Sequence, residues 1–307
     1  MHPYALAIHG GAGLIRRHSL SLEREAACKA SLSRTLDLGK ELRLRGASAV
    51  EAVEACVVAM EDDPHFNAGR GAVLNGEGEI ELDAAIMCGR TRDAGAVAMV
   101  RTIRNPIRAA RAVMTASPHV LLVGAGADHF AEAQGLERVD PGWFETPERR
   151  AQLTRVMKQD AIVLDHDTED LDVYGTVGAV ALDVHGQVAA GSSTGGMVNK
   201  RPGRVGDTPI IGAGTFAWND TAAIAGTGHG EPFIRLSACA RVSALMELAG
   251  LTVVDATAQV IRELAGLEGR GGLIAVDRTG TLAMPFNTAG MFRGSVSHKQ
   301  PASVAIW

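Results

Sequence analysis

The sequence is poor in aromatic residues, which make up 4% of its 307 residues, and poor in cysteine, with four in all. Cys28, Cys56, Cys88 and Cys239 stand far apart and form no CxxC pair, so their spacing predicts neither a disulfide framework nor a zinc site. Cys28, Cys56 and Cys239 lie in apolar runs. We expect them to be small buried side chains in a protein of the reducing cytoplasm.

Other features are also missing. There is no Lys/Arg-rich block, and the formal net charge of −5 argues against nucleic acid as the main partner. No apolar run approaches the ~20 residues that cross a bilayer. The opening residues, MHPYALAIHGGAG, show no basic region followed by an apolar core and a cleavage site. We therefore expect no membrane partner, no nucleic-acid partner and no signal peptide.

Glycine is abundant, with 36 residues clustered in short runs between apolar segments. Such runs suit tight turns and close backbone approach to a ligand. The 46% hydrophobic and 21% charged content is typical of a globular chain that buries a full core.

The hydrophobic periodicity predicts strands in pairs and helices in pairs. Helices are expected at residues 22–44, 48–60, 107–115, 231–248 and 254–264. Strands are expected at residues 5–9, 79–88, 95–101, 119–123, 177–184, 187–192, 222–226, 273–277, 281–284 and 303–307. This order is not the strict alternation of a doubly wound sheet. It favours antiparallel sheets between helical layers.

Polarity divides the chain near its middle. Residues 141–174 are more polar and carry charge-rich pieces, so we expect an exposed linker there. A strand begins abruptly after it, at Thr176. We interpret the whole chain, residues 1–307, as a single domain built from the segments before and after this point.

The junction of Gly175 and Thr176 is the most informative segment. A threonine hydroxyl is scarcely ionised at neutral pH, but a free α-amine on the same residue has a pKa of about 7.7–8.0 and can act as its base. Only cleavage after Gly175 releases that amine, and a residue without Cβ leaves its carbonyl open to attack. The junction therefore predicts self-cleavage and a catalytic Thr176, although Gly-Thr alone would indicate only a strand start.

Two later segments supply partners for Thr176. Residues 191–197, GSSTGGM, end the strand paired with the Thr176 strand, which brings the Thr194 hydroxyl near the nucleophile. In residues 200–207, KRPGRVGD, Arg204 can bind an α-carboxylate bidentately and Asp207 can take an α-ammonium group. Each segment alone also fits a Ser/Gly-rich loop or a surface salt bridge.

Further candidate active-site residues lie in glycine-rich turns. In residues 225–231, AGTGHGE, a strand turns into a helix, and backbone N–H groups together with the Thr227 hydroxyl can stabilise an oxyanion. We interpret His229 as a loop histidine, because the proposed base is the terminal amine. The turns HGGAG at 9–13 and FNAGRG at 66–71 lie beside expected strand ends. Asn67 there can orient water or the new amine, or serve turn chemistry alone.

Together the segments HGGAG, FNAGRG, GTVGAVALD, SSTGGMVNKRPGRVGD and TGHGE resemble the plant-type asparaginases, also called isoaspartyl peptidases, of the N-terminal-nucleophile hydrolases. The match runs in order over nearly the whole chain. It implies the α+β class, with a four-layer αββα sandwich, and self-cleavage into an α chain (1–175) and a β chain (176–307). It also implies an (αβ)₂ heterotetramer that hydrolyses L-asparagine and β-aspartyl dipeptides, with no cofactor required for the chemistry.

The resemblance also implies roles for residues. Thr176 is the nucleophile, and Thr194 supports it. The remaining roles are a substrate clamp of Arg204 and Asp207 with backbone contacts from Gly228 and Gly230, an oxyanion hole of Thr227 and Gly228, and Asn67 near the catalytic threonine. Tyr174 stands where relatives often have His before the junction.

Residues 60–70 resemble the sodium loop of the family, which binds the ion mainly through main-chain carbonyls. A structural sodium ion is therefore expected. The ligands implied are Met60, Glu61, Asp63, Phe66, Ala68 and Arg70. Asp63 and Arg70 are departures from the family pattern, but carbonyl ligands are indifferent to the side chain.

Three other interpretations stay open. A glycosylasparaginase-like amidohydrolase usually has Asp-Thr at its junction, and nothing in the sequence indicates secretion. Residues 120–129, VLLVGAGADH, look like a strand entering the GxGxxG turn of a dinucleotide-binding oxidoreductase, but His129 occupies the third glycine position and no convincing βαβ unit follows. A binding protein for small amino acids would use Arg204 and Asp207 and would leave the junction without a purpose.

Overall fold

The computed structural model describes residues 4–18, 20–158 and 175–307, which form two β-sheets between two layers of helices. The helices are α1 (Leu22–Leu44), α2 (Ala49–Glu61), α3 (Pro106–Ala116), α4 (Gly124–Ala133), α5 (Pro147–Lys158), α6 (Gly230–Leu236), α7 (Ala238–Ala249) and α8 (Val253–Gly266). The strands are β1 (Ala5–Gly13), β2 (Leu82–Cys88), β3 (Ala94–Val100), β4 (Leu121–Val123), β5 (Val177–Leu182), β6 (Val188–Thr194), β7 (Thr215–Ala217), β8 (Ala222–Gly228), β9 (Gly271–Asp277), β10 (Leu282–Ala283), β11 (Gly290–Ser297) and β12 (Ser303–Ala305). None of the helices in these ranges is long and apolar enough to cross a bilayer.

The larger sheet has eight strands in the order β12-β11-β1-β5-β6-β2-β3-β4, and the smaller has four in the order β10-β9-β8-β7. Neighbouring strands are antiparallel in both sheets, except that β3 and β4 run parallel. Strand β5 therefore lies in the centre of the larger sheet, paired with β1 on one side and with β6 on the other.

Side-chain alternation along the strands builds three apolar cores between the layers. In β5, Ala179 and Ala181 pack with residues of α1 to α3, whereas Val180 and Leu182 pack with residues of β8 and β9 in the smaller sheet. The outer face of the smaller sheet packs against α7 and α8. The αββα sandwich is thus confirmed. The three cysteines expected inside, Cys28, Cys56 and Cys239, are buried and free of disulfide bonds.

Helix α2 begins as its sequence predicts. The Ser48 side chain accepts a hydrogen bond from Glu51 N at 3.3 Å, and the Glu51 carboxylate accepts one from Ser48 N at 2.7 Å. This capping box satisfies N–H groups that the first helical turn leaves open and contributes about 1 kcal/mol. The predicted apolar stripe is buried against the larger sheet and consists of Val50, Val53, Val57 and Met60.

Residues 141–158 are not the exposed linker that their polarity predicted. A short 3₁₀ turn at Pro141–Trp143 leads into helix α5, which buries Arg149, Gln152, Leu153 and Val156. The prediction was wrong because Arg149 and Gln152 are buried through hydrogen bonds, which hydropathy does not register. The rest of the predicted linker, including Tyr174, lies outside the described residues.

The helix predicted at residues 231–248 is two helices, α6 and α7. They are separated at Ser237, which adopts a left-handed conformation with φ 50° and ψ 52°. The N–H groups of Cys239 and Ala240 donate to the Ala213 and Gly212 carbonyls at 3.2 and 2.8 Å. The break therefore satisfies the first turn of α7 through tertiary hydrogen bonds that apolar periodicity does not reveal.

Several predictions of secondary structure were wrong or incomplete at segments that contain glycine. Residues 10–13 belong to β1 instead of forming a turn, with a register shift between His9 and Gly11. Gly10 is needed for packing, since a Cβ there would lie 2.4 Å from the Phe66 ring. Helix α4 and strands β7 and β11 were not predicted, because glycines lie within or beside their short apolar patterns.

Candidate active site

Thr176 lies one residue before β5 and is half-buried. Its hydroxyl donates a hydrogen bond to Thr194 Oγ1 at 3.0 Å, and the same oxygen accepts from Gly196 N at 3.0 Å. Thr194 is the last residue of β6, and the β5–β6 ladder pairs Val177 with Ser193. The hairpin therefore brings the two hydroxyls together as the sequence predicts.

His9 contacts Thr176 from the neighbouring strand β1. Its Nδ1 donates to the Thr176 carbonyl oxygen at 2.9 Å, which requires the neutral tautomer protonated on Nδ1. Complete burial lowers the pKa of His9 to about 3, against the opposing effect of that hydrogen bond. The sequence interpretation of HGGAG as a glycine turn missed this contact, because the partners are 167 residues apart.

A pocket opens beside Thr176. It is lined by Ala12, Gly175, Thr176, Thr194, Gly196, Met197, Arg204, Gly206, Asp207, Thr208, Thr227 and Gly228. Seven residues predicted from the sequence are in this lining, namely Gly175, Thr176, Thr194, Arg204, Asp207, Thr227 and Gly228. Gly230 lies directly behind it, since a Cβ there would be 2.8 Å from Arg204 Nη2 and 2.9 Å from Asp207 Oδ1.

Arg204 is held by a partner that the sequence did not predict. Its Nε and Nη2 donate to the two carboxylate oxygens of Glu231 at 3.0 and 2.9 Å. Its Nη1 lies against the pocket glycines Gly196 and Gly206, where a Cβ would be 3.4 and 2.9 Å away. The hydrogen bond from His229 and the pairing with Arg204 hold the pKa of Glu231 well below its usual range. The guanidinium is therefore fixed with one edge on Glu231 and another beside the pocket.

Asp207 is buried in the pocket wall. Burial raises the pKa of its carboxyl to about 6, partly offset by the charge of Arg204. Its Oδ2 has no hydrogen-bond partner among the described residues. A buried carboxylate oxygen without a partner is costly. Asp207 lines the pocket, so a cationic ligand group bound there, such as an α-ammonium, would stabilise the ionised carboxylate.

Thr227 and Gly228 form the end of β8 on another side of the pocket. The Thr227 hydroxyl is buried and also lacks a partner in the described part of the chain, as does the hydroxyl of Thr208, which the sequence did not single out. Gly228 has φ 139°, and a Cβ there would lie 2.2 Å from the Arg270 carbonyl oxygen. Only glycine fits there, and a free hydroxyl donor beside it suits a developing oxyanion.

Asn67 reaches the site through a turn and does not line the pocket. Its Nδ2 donates to the Gly196 carbonyl at 2.7 Å, and its Oδ1 accepts from Val73 N at 2.9 Å. Because Gly196 N binds Thr194 Oγ1, the Asn67 amide supports the turn that follows Thr194. Its predicted contact with water or an amine stays a prediction.

The predicted sodium loop folds back on itself. Gly69 and Gly71 have φ 49° and 90°, and a Cβ at either would lie 2.5 Å from a carbonyl oxygen, that of Glu61 or Pro64 respectively. The Asp63 carboxylate binds Ser31 and His65. No group of three or more His, Cys, Asp or Glu side chains among the described residues could hold a metal. The Glu61 carbonyl accepts a hydrogen bond from Arg70 N at 2.7 Å, and the sodium ion expected in this loop stays a prediction.

The GxGxxG-like segment at residues 120–129 is not placed in the sheet as it would be in a dinucleotide-binding βαβ unit. Gly124 begins α4 after β4, an edge strand paired with β3 alone. The chain then continues through α5, and β5 lies in the centre of the sheet between β1 and β6. No βαβ unit therefore follows in the described residues, as the sequence indicated.

Two sheets, antiparallel except at β3 and β4, packed between helical layers have the α+β architecture of the N-terminal-nucleophile hydrolases. A family model described as asparaginase matches residues 2–306, and the chain belongs to this family.

Curated relatives extend over most of the chain. It is 49% identical over 292 residues to the isoaspartyl peptidase of Escherichia coli (strain K12), covering 94% of this chain and 91% of that protein. It is 49% identical over 297 residues to the isoaspartyl peptidase of Salmonella typhimurium, covering 95% of each. It is 42% identical over 292 residues to the isoaspartyl peptidase/L-asparaginase of Homo sapiens, covering 95% of this chain and 92% of that protein.

Proposed function

We propose that this protein is a self-activating threonine amidohydrolase that hydrolyses the side-chain amide of L-asparagine and β-aspartyl dipeptides. The observation that carries the proposal is the pocket in which the Thr176 hydroxyl, bonded to Thr194, lies with Arg204 and Asp207. Relatives named isoaspartyl peptidase or isoaspartyl peptidase/L-asparaginase support the substrate class.

Activation begins in the intact chain. The Thr176 hydroxyl attacks the Gly175 carbonyl, and the acyl group moves from nitrogen to oxygen. Water hydrolyses the resulting ester, which leaves a carboxylate on Gly175 and a free α-amine on Thr176. The products are the α chain of residues 1–175 and the β chain of residues 176–307. A neutral His9 bonded to the Thr176 carbonyl supports this step by holding the nucleophile in place.

Turnover then uses the same hydroxyl. Arg204 binds the substrate α-carboxylate and Asp207 its α-ammonium, which aligns the side-chain amide with Thr176. The free amine accepts the hydroxyl proton as the oxygen attacks the amide carbon, while Thr227 and Gly228 stabilise the oxyanion. Ammonia or an amino acid leaves, and water hydrolyses the β-aspartyl ester to release aspartate.

Further parts of the proposal concern assembly. The enzyme needs no cofactor for the chemistry, and a structural sodium ion binds to main-chain carbonyls of the loop at residues 60–70. The cleaved chains form an (αβ)₂ heterotetramer in the cytoplasm. The folding back of the loop at its two glycines supports the ion site.

The test is the substitution Thr176→Ala, compared with Thr115→Ala, an exposed threonine on α3. We expect the wild type and Thr115→Ala to give two fragments on a denaturing gel and to release ammonia from L-asparagine. Thr176→Ala should remain one chain without activity. Two fragments from the Thr176→Ala protein would falsify the maturation scheme.

A further inference from the structure

The segment of residues 141–158, here called the docking segment, binds the loop that supports the catalytic hydroxyls. We infer that Arg149 in this segment is a positioning residue for the Thr176–Thr194 pair, acting through the loop of residues 67–76. The inference rests on the proposed function, because it concerns the rate of that reaction.

The docking segment binds both backbone groups of one glycine. The Arg149 side chain, 4% exposed, donates from Nε to the Gly71 carbonyl at 2.6 Å and from Nη1 to Gln152 at 3.0 Å. The Gly71 N–H donates to the Phe144 carbonyl at 2.8 Å. Gly71 is therefore held from two sides by the segment that polarity alone marks as a linker.

Gly71 itself has little freedom to move. Its φ of 90° is available mainly to glycine, and a Cβ there would lie 2.5 Å from the Pro64 carbonyl oxygen. The backbone of the loop packs tightly at this position, so a displacement of Gly71 would be passed to its neighbours.

The loop is bonded to the turn that follows Thr194 at four points. Asn67 contributes two of them, with its carbonyl accepting from Gly195 N at 3.1 Å and its Nδ2 donating to the Gly196 carbonyl at 2.7 Å. The other two join Asn199 N to the Leu74 carbonyl at 2.9 Å and Gly76 N to the Lys200 carbonyl at 2.8 Å. The loop thus lies between the docking segment and residues 195–200.

The last link reaches the nucleophile. Gly196 N donates to Thr194 Oγ1 at 3.0 Å, and the Thr176 hydroxyl donates to the same oxygen at 3.0 Å. After the proposed cleavage, the docking segment belongs to the α chain and Thr176 to the β chain. The hydrogen bonds of Arg149 and Phe144 then help to keep the α-chain support of the nucleophile in place.

The experiment compares Arg149→Met with Arg155→Met, an exposed arginine on the same helix. Since misplacement of reacting groups by about 1 Å can cost roughly 10²-fold in rate, we expect Arg149→Met to lower kcat by about 10- to 100-fold. The KM for L-asparagine should change by less than about threefold, because the inferred role of Arg149 is exerted on the loop and the catalytic hydroxyls, and not on Arg204 and Asp207, which bind the substrate in the proposed function. Arg149→Lys, which keeps one donor, should restore part of kcat.

A double variant separates positioning from general destabilisation. If Arg149 acts through the loop, Arg149→Met should cost less kcat in an Asn67→Ala background than in the wild type, because Asn67→Ala removes one of the four links between the loop and residues 195–200. Additive effects, or a kcat equal to that of Arg155→Met, would overturn the inference. Should Arg149→Met not fold, Arg149→Lys carries the same test, with its loss of kcat again smaller in the Asn67→Ala background.

The two proposals fail differently. An uncleaved wild type without turnover of L-asparagine or a β-aspartyl dipeptide contradicts the proposed function. A cleaved and active wild type whose kcat is insensitive to Arg149 contradicts only the positioning role.

Discussion

Glu231 holds the guanidinium of Arg204 with two hydrogen bonds, of 3.0 Å to Nε and 2.9 Å to Nη2, at the wall of the pocket beside Thr176. The planar fork is thereby fixed before any ligand arrives, and its Nη1 lies against the pocket glycines Gly196 and Gly206. A guanidinium can bind Glu231 and a ligand carboxylate at the same time, which the single ammonium of lysine cannot reproduce.

Arg204→Lys is therefore expected to raise KM for L-asparagine by about tenfold or more, since a hydrogen bond to a charged group contributes about 1.5–3 kcal/mol. Glu231→Gln should raise KM by a smaller factor, because the arginine remains but is held less firmly. The matched control is Arg241→Lys, at a surface arginine paired in the same two-bond manner with Glu263. Steady-state kinetics check this prediction, and an unchanged KM in Arg204→Lys would contradict the clamp.

The pKa of Asp207, raised to about 6 by burial, predicts a pH dependence of substrate binding. The α-ammonium group needs the ionised carboxylate, so KM should rise as the pH falls through about 6, by up to about tenfold per pH unit. His9 adds no inflection in this range, because its pKa is about 3. A KM that stays constant between pH 7 and pH 5 would show that Asp207 does not bind the cation.

The same shift has a consequence for stability. The pKa of Asp207 in the folded protein, about 6, lies above the ordinary 3.8. Its contribution to the free energy of unfolding is therefore fully present below pH 3.8, where the carboxyl is protonated, and is lost as the pH rises through about 6. Asp207→Asn should therefore be more stable relative to the wild type at pH 7.5 than at pH 4. Urea unfolding at the two pH values measures the difference, and an equal difference at both would count against the raised pKa.

The shared acceptor at Thr194 predicts a rate effect. Thr194→Val removes the oxygen that receives both the Thr176 hydroxyl and the Gly196 N–H, at nearly constant volume. Loss of one such bond costs about 0.5–1.5 kcal/mol, which corresponds to a decrease in kcat of up to about tenfold, with more if the turn shifts. Thr194→Ser, which keeps the hydroxyl, is the control. Equal single-turnover rates in Thr194→Val and Thr194→Ser would show that the Thr194 hydroxyl does not contribute to the reaction.

The close contact between Gly178 and His9 predicts that a larger residue at position 178 disturbs the packing of β5, the strand that Thr176 precedes. A Cβ at this position would lie 2.3 Å from His9 Nε2, so Gly178→Ala must displace the imidazole that binds the Thr176 carbonyl. We expect a loss of stability of about 1–3 kcal/mol and slower self-cleavage. Gly126→Ala in α4 is the control, because an added Cβ there would meet no atom within 4 Å apart from neighbouring backbone of the same helix. Thermal unfolding and the rate of appearance of two fragments measure both effects.

Local patterns in the sequence predict much of this molecule. The capping box at Ser48 and the hairpin of β5 and β6 depend on neighbouring residues, and both are confirmed. Local patterns fail where distant residues satisfy polar groups. Arg149 is buried because Gly71 accepts its hydrogen bond, and the break at Ser237 exists because α7 donates to residues 212–213.

The sequence by itself determined the layering of sheets and helices, the threonine at the start of a strand and most of the polar residues that line the pocket, although it did not single out Thr208. These features follow from the periodicity of the side chains and from functional groups whose chemistry is specified by the residue type alone. Only the tertiary structure decided which atoms pair, including His9 with the Thr176 carbonyl, Glu231 with Arg204 and Arg149 with Gly71. The reason is physical: a buried polar atom takes its partner from whichever segment the fold brings within about 3 Å, and distance along the chain does not specify that segment.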